Sequence, residues 1–238
     1  MTTDELEPIK SNADKVFKTA IKELVGGADW NVQFEACNAV RRVCKFHQDL
    51  VLQHGATLHS LVKQLTKLAD SLRSSLSKIA LITIRDMFQF LKRCMETYLD
   101  PLIKILLKRG SDTSGFISEE AQQALLTMTV NCSDIKVLSV LLAQSVNSKS
   151  NVQRLSICRC LEQLVTNLGN NILFFKDSDK LIGQLANYLK DACQDVRASS
   201  KRAFVSLSSA IMGQNDLEKL LLRVLNEEQY KKVRSFLD

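Results

Sequence analysis

Residues 58–90 read LHSLVKQLTKLADSLRSSLSKIALITIRDMFQF and carry a pattern that recurs along the chain. Apolar side chains recur in it every three or four residues, first from Leu58 to Leu68 and again from Ile79 to Phe90. That spacing places them on one face of an α-helix. A short break, Ala69-Asp70-Ser71, separates the two stripes, as is typical of a turn between paired helices. The stretch therefore predicts a helical hairpin.

The same pattern extends in both directions along the chain. Stripes with helical spacing run from Val16 almost to the C-terminus, and no segment alternates apolar and polar residues over the length of a strand. The helices pair, and the pairs recur about every 40 residues, which is the period of HEAT arrays. The sequence predicts an all-α fold, a HEAT-repeat (α-solenoid) paddle of about six helix pairs, the sixth incomplete. We expect a single domain at residues 13–238, preceded by a flexible segment at residues 1–12.

The turns within the pairs are expected to line one long edge, because stacked pairs place equivalent turns side by side. Asp29 is expected to cap the helix that begins at Trp30, and Ser118 the helix after the third turn. Trp30, the only tryptophan, is either an exposed anchor or a staple packed over the first helix. The five turns are predicted at Gly27–Trp30, Ala69–Ser74, Ser111–Phe116, Asn147–Val152 and Ala192–Val196.

Composition limits the compartment and the partners. The net charge of +6 suits an acidic partner, whether nucleic acid, an anionic membrane or an acidic protein surface. No run of five or more basic residues occurs, so a disordered nucleic-acid arm is not expected. No apolar run approaches the roughly 18–20 residues of a membrane span, and the first residues are too acidic for a signal peptide. We therefore predict a cytoplasmic protein that does not enter a membrane.

No set of residues predicts catalysis, a metal or a cofactor. The seven cysteines contain no CxxC pair and are expected to be small buried apolar residues in a reducing compartment. The three histidines, His47, His54 and His59, lack metal-ligand spacing, and no phosphate-binding glycine loop or nucleophile elbow occurs. The prediction is a binding protein and not an enzyme.

The motifs at the predicted turns resemble those of one family. They are Ala28-Asp29-Trp30, Leu72-Arg73-Ser74, Gly115-Phe116-Ile117-Ser118-Glu119-Glu120-Ala121, Asn151-Val152-Gln153-Arg154 and Gln194-Asp195-Val196-Arg197. In this order and at HEAT spacing they resemble TOG domains, the tubulin-binding HEAT paddles of microtubule regulators. The resemblance runs from about Ala13 to Met212. It is strongest to the crescerin group of ciliary microtubule proteins, with CLASP domains next.

The resemblance implies a monomeric, non-catalytic domain of a larger multi-domain protein. Such a domain would bind the tubulin heterodimer or the microtubule through its turns, regulate microtubule growth or stability, and belong to the cytoskeleton, including the cilium or axoneme. The chain departs from the family pattern at Asn31, Val32 and Gln33, and at Ser118 and Glu119, where basic residues are frequent. The tubulin-binding residues that the resemblance implies are Trp30, Arg73, Lys78, Phe116, Ser118, Asn151, Arg154, Arg197 and Lys201.

Two other functions compete with this one. A HEAT scaffold for another protein would bind through a helix face rather than through the turns, so a change at Trp30 would spare it. Nucleic-acid binding by a basic helical repeat requires a continuous basic face. We expect no nucleic-acid partner because acids interrupt that face, namely Asp29, Asp70, Glu119, Glu120, Asp191 and Asp195.

Overall fold

Helices connected by short turns make up the computed structural model, which describes residues 2–27, 29–146 and 148–237. Within these ranges there are thirteen α-helices and two 3-10 helices, and no strand. The predicted all-α helical-repeat fold is confirmed. Ala28 and Asn147, which belong to the predicted first and fourth turns, lie outside the described residues.

The chain divides into two units, of which the first is Met1–Cys132. The α-helices of this unit are α1 (Ala13–Val25), α2 (Trp30–Phe46), α3 (Gln48–Gln53), α4 (Gly55–Ala69), α5 (Ser74–Leu91), α6 (Leu99–Arg109) and α7 (Gly115–Asn131). Three pairs pack in sequence within the unit, α1 with α2, α4 with α5 and α6 with α7. A 3-10 helix, Lys92–Tyr98, links α5 to α6.

The second unit, Ser133–Asp238, also consists of pairs. A 3-10 helix, Gly169–Leu173, follows its second helix, as Lys92–Tyr98 follows α5. That the two units act as the single domain expected at residues 13–238 stays a prediction. The α-helices of the second unit are α8 (Asp134–Ser145), α9 (Asn151–Leu168), α10 (Ser178–Tyr188), α11 (Gln194–Ala210), α12 (Gln214–Val224) and α13 (Glu227–Leu237).

The amphipathic C-terminal tail forms two helices, of which α12 packs against α10 and α13 against α11. Asn226 separates α12 from α13. Its side-chain oxygen accepts from the Gln229 amide at 2.9 Å, and the Gln229 side chain accepts from the Asn226 amide at 3.2 Å. This reciprocal pair is a capping box, which starts a new helix at Glu227.

The apolar stripes form the cores of the two units. In the first unit, helices α4 and α5 pack against each other, and their buried side chains include Leu61 and Leu65 of α4 and Ile84 and Met87 of α5, all almost wholly removed from water. Helix α5 is buried around more of its circumference than one stripe predicts, because it packs against α2, α4 and α7. Burial of this kind contributes about 1.5–3 kcal/mol for each large apolar side chain and is the main force that holds the pairs together.

Most of the cysteines lie in these cores, as expected. All seven are free; five are buried, Cys193 is half-buried and Cys94 is exposed. Burial raises the pKa of the Cys37 and Cys158 thiols to about 12, so both stay protonated and unreactive at neutral pH.

Among the described helices, none combines the length and the apolar character needed to cross a bilayer.

Residues 2–12 contain no helix, but part of this segment is held against α2. Leu6 is buried, and Arg42 donates to the Glu7 carbonyl at 2.9 Å. The flexibility expected for residues 1–12 stays a prediction.

Candidate interface on the turns between paired helices

The first turn presents Trp30 at the start of α2. Asp29 caps this helix by accepting from the Asn31 amide at 3.2 Å, as predicted, and the cap makes Trp30 the first helical residue. Trp30 is 36% exposed. That it anchors a partner, rather than stapling the first helix, stays a prediction.

The second turn brings a cation onto that ring. Arg73 lies just before α5, and its guanidinium carbon is 4.6 Å from the centroid of the Trp30 ring. A guanidinium over an indole face is attracted by the ring's negative potential, and such a pair contributes about 0.5–1 kcal/mol at an exposed position. Two side chains that are 43 residues apart in the sequence therefore form one surface element.

Leu72, beside Arg73, is a surface residue that the predicted site omits. Its side chain is fully exposed, at 104% of the reference area, although leucine is normally buried. The sequence carried a signal for it, because a large apolar residue stands at the centre of an otherwise polar turn between Ser71 and Arg73.

The third turn repeats the pairing of an aromatic ring with a cation. Phe116, the second residue of α7, is 46% exposed, and the Lys78 ammonium of α5 lies 5.5 Å from its ring centroid. Glu120 lies 3.8 Å from the same ammonium. Three successive turns of the first unit thus each expose one large apolar side chain, and two of the three lie under a cation. We call Trp30, Leu72, Arg73, Lys78 and Phe116 the first-unit turn surface.

Two acids near this surface are neutralised by neighbouring cations. Asp70 in the second turn is 2.7 Å from the Lys108 ammonium, and Asp112 in the third turn is 3.0 Å from the Arg109 guanidinium. Arg73 has no such acidic partner among the described residues. The turn surface therefore presents cations and apolar side chains together, which fits a protein partner that combines carboxylates with apolar groups.

Ser118 has a structural contact inside the third turn. The cap of α7 is Ser114 and not Ser118, so the predicted cap is wrong; Ser118 is the fourth residue of the helix. Its hydroxyl donates to the Gly110 carbonyl at 2.6 Å, and Ser77 at the same position of α5 donates to the Ala69 carbonyl at 2.7 Å. The hydroxyl ties the helix start to the end of the preceding helix.

In the second unit, Arg154 has the same role at the fourth position of α9. Its guanidinium donates to both oxygens of Asp191, at 2.6 and 3.1 Å, and to the Lys149 carbonyl at 2.9 Å. Asn151 also accepts from it, at 2.6 Å. The Arg154 guanidinium lowers the pKa of the Asp191 carboxyl, because the hydrogen bonds favour its charged form.

Arg197 repeats this arrangement in α11. Its Nη1 donates to the Asp191 carbonyl at 2.7 Å and to the Ala192 carbonyl at 2.8 Å. Much of the donor capacity of Arg154 and Arg197 is thus used within their own turns. Asn151 and Lys201 are exposed, and the Lys201 ammonium lies 5.6 Å from the Phe236 ring centroid.

The described residues contain no group of three or more histidine, cysteine, aspartate or glutamate side chains arranged to hold a metal ion.

The first turn departs from the basic residues that the family resemblance implies. Asn31 and Val32 are exposed there, and Gln33 is buried. The first turn therefore offers an aromatic ring and polar groups, and its positive charge comes from Arg73 of the second turn.

The chain is similar to known proteins in both sequence and fold. The family model described as CLASP N terminal matches residues 15–227. The Mus musculus protein named TOG array regulator of axonemal microtubules protein 1 is 26% identical over 228 residues, which are 93% of this chain and 12% of that protein. The predicted resemblance to TOG, crescerin and CLASP domains is confirmed.

Solved structures share the fold. A structure reported under the statement that crescerin uses a TOG domain array to regulate microtubules in the primary cilium aligns with a TM-score of 0.64 and 19% identity, covering 100% of this chain and 91% of that one. The MAST/Orbit N-terminal domain aligns with a TM-score of 0.62 and 13% identity, covering 98% of each chain.

Proposed function

We propose, since this chain belongs to the CLASP N-terminal family, that it binds tubulin or microtubules and acts without catalysis. The observation that carries the proposal is the first-unit turn surface. Three successive turns expose an apolar side chain each, namely Trp30, Leu72 and Phe116. Arg73 lies over the Trp30 ring, and Lys78 lies over the Phe116 ring.

The physical argument concerns what such a surface gains from a partner. Large aromatic side chains that are half-exposed in the free protein dominate interface energies when a partner buries them. Arginine pairs well with carboxylates because its planar guanidinium can donate to both oxygens. Cations at the rim mainly speed association and make it sensitive to salt. An acidic protein surface with apolar pockets is therefore the partner that fits.

The names of the relatives support the microtubule as that partner. The mouse relative is named as a regulator of axonemal microtubules, and the crescerin structure is described as acting on microtubules in the primary cilium. We propose for this chain the microtubule and its subunit tubulin as the partner, and the cytoskeleton, including the cilium or axoneme, as the location. The chain spans 12% of the mouse protein's length, so we further propose that it is one domain of a longer protein.

A binding domain regulates microtubule growth or stability only by preferring one state of its partner. Differential affinity for curved free tubulin over straight lattice tubulin would shift the balance between the two. Delivery of successive dimers would need further domains, since one site cannot raise the local concentration of the next dimer.

The predicted binding residues divide into three groups. Trp30, Arg73, Lys78 and Phe116, with Leu72 added, are the contacts that we propose for the first unit. Asn151 and Lys201 stay predicted contacts of the second unit. Ser118, Arg154 and Arg197 are proposed to act by fixing the shape of their turns, because they donate to turn carbonyls.

Size-exclusion chromatography with unpolymerised tubulin tests the proposal. The wild-type chain is expected to co-elute with tubulin at low salt and less at moderate salt, and Trp30→Ala is expected to abolish co-elution. Phe174→Ala is the matched control, because Phe174 is 84% exposed but lies outside the turns within the pairs. Failure of the wild type at both salt concentrations would reject tubulin binding and leave the scaffold function. A filter-binding assay with random duplex DNA at moderate salt tests the nucleic-acid alternative.

A further inference from the structure

The segment at residues 2–8 is held along α2 mainly through its backbone. Lys45 of α2 donates to the Thr3 carbonyl at 2.8 Å and approaches the Leu6 carbonyl at 3.5 Å. Arg42, one turn earlier, donates to the Glu7 carbonyl at 2.9 Å and to the Pro8 carbonyl at 3.0 Å. Two basic side chains thus bind four backbone carbonyls. These contacts hold the backbone of the segment and do not depend on its side chains.

Two side chains of the segment add specificity. The Thr3 hydroxyl donates to Asp86 Oδ1 at 2.8 Å and accepts from Arg85 Nη2 at 3.2 Å. Leu6, three residues later, is 3% exposed. A hydroxyl residue followed three positions later by leucine therefore matches the two places where this surface receives a side chain.

Charge favours an acidic segment at this place. Asp4, Glu5 and Glu7 are exposed, while the surface beneath carries Arg42 and Lys45. Neither of these basic residues forms an ion pair with a side chain in the part of the chain that the structure describes, and both donate to carbonyls of the segment. The acids of a bound segment would therefore lie close to two cations whose charge is otherwise unbalanced.

The surface would survive departure of the segment. Asp86 stays bonded to Arg41, whose Nε lies 2.7 Å from Asp86 Oδ2, and Arg85 stays bonded to Glu120 at 2.8 Å. Of residues 2–8 only Leu6 is buried. Little apolar area would therefore be lost on release, and the helices beneath would keep their own ion pairs.

We infer that the face of α2 and α5 around Arg42, Lys45 and Arg85 is a docking surface for acidic peptide segments. Such a segment carries a hydroxyl residue three positions before a leucine. Residues 2–8 occupy the surface in cis, and a segment of the same chemistry on another polypeptide replaces them. Arg42 is 12 residues from Trp30 on the same helix, or about 18 Å along its axis, so this surface is separate from the turns.

The test uses a fluorescein-labelled peptide with the sequence of residues 2–8, TTDELEP, and fluorescence anisotropy with the full chain. Leu6→Asp in the chain weakens the cis segment and leaves the surface intact. This variant should bind the peptide at least tenfold more tightly than the wild type, because a tethered segment competes at an effective concentration on the order of millimolar. Thr3→Ala with Leu6→Ser is a second variant with the same expectation, and circular dichroism verifies that both are folded.

Charge-reversing substitutions test whether the peptide binds at Arg42 and Lys45. Arg42→Glu with Lys45→Glu in the Leu6→Asp chain should weaken binding at least tenfold. Lys149→Glu with Lys176→Glu, at two exposed lysines of the second unit, makes the same charge change and should have less than a twofold effect. The inference is overturned if both folded weakened-segment variants bind no more peptide than the wild type. It is equally overturned if the two charge changes act alike, or if a single-stranded oligonucleotide of equal charge binds as well as the peptide.

Discussion

Arg73 covers the Trp30 ring, with 4.6 Å between its guanidinium carbon and the ring centroid, so the second turn of the first unit contacts the first. The aromatic anchor and the nearest cation are therefore held as one element, although neither lies in the other's turn. A partner that buries the ring must also accommodate the guanidinium.

Leu72→Asp is expected to weaken tubulin binding at least tenfold while leaving the free energy of unfolding within about 0.5 kcal/mol of wild type. The side chain is fully exposed, so the free protein loses no packing. Titration with labelled tubulin heterodimer measures the binding, and thermal unfolding measures the stability. Leu222→Asp, at an exposed leucine of α12, is the control and should leave tubulin binding unchanged. Equal binding by Leu72→Asp and wild type would remove Leu72 from the interface.

Ser118→Ala is expected to lower stability and to leave tubulin binding nearly unchanged, which is the opposite of Leu72→Asp. Loss of the hydroxyl leaves the Gly110 carbonyl without this donor, which should lower the free energy of unfolding by about 1 kcal/mol. Tubulin affinity should change less than threefold. A variant of normal stability that binds tubulin tenfold more weakly would make Ser118 a direct contact, as the family resemblance implies.

Asp191→Asn is expected to lower stability in a pH-dependent manner. The Arg154 guanidinium depresses the pKa of Asp191 in the folded state, so the stabilisation is present above the unfolded value of about 3.9 and is lost as pH falls through the folded pKa. Asp191 is only 8% exposed, and its loss should cost about 2 kcal/mol at pH 7. The difference from wild type should shrink between about pH 5 and pH 2, as measured by urea unfolding. Asp195→Asn, at an exposed acid, is the control, and a difference independent of pH would refute the assignment.

Lys92→Gly is expected to stabilise the protein. Lys92 ends α5 with φ 48°, and Gly169 ends α9 with φ 51°, so equivalent positions share a conformation that suits only glycine. Relief of this strain, less the greater freedom of glycine in the unfolded chain, should raise the free energy of unfolding by about 1 kcal/mol. Gly169→Ala should lower it by a similar amount, and Arg93→Gly, one position on, should also be destabilising. Destabilisation by Lys92→Gly would show that the backbone is not strained there.

The helices were predictable because their signals are local. The apolar stripe from Leu58 to Leu68 and the cap at Asp29 depend only on neighbours within about one turn of helix. The break between α12 and α13 was also readable, since Asn226 and Gln229 have capping-box spacing. Ser118 was harder, because three serines precede or begin α7 and each is an acceptable cap.

The site was predictable only in part, because its roles depend on where the preceding helix ends. Arg154 and Arg197 read as free basic residues near a turn, yet each donates to carbonyls five or six residues earlier. The contact of Arg73 with Trp30 joins two repeats, and no local pattern encodes it. A lysine at φ 48° carries no sequence signal either, since glycine is the residue that normally marks such a position.

Hydrogen–deuterium exchange with and without tubulin tests most directly the claim that the first-unit turns form the interface. Bound tubulin should slow exchange of amides in the turns at residues 70–73 and 110–116 and at the start of α2, and should leave residues 2–8 and α12 unchanged. Protection confined to residues 2–8 and the C-terminal half of α2, with unchanged turns, would contradict the account and place binding on a helix face.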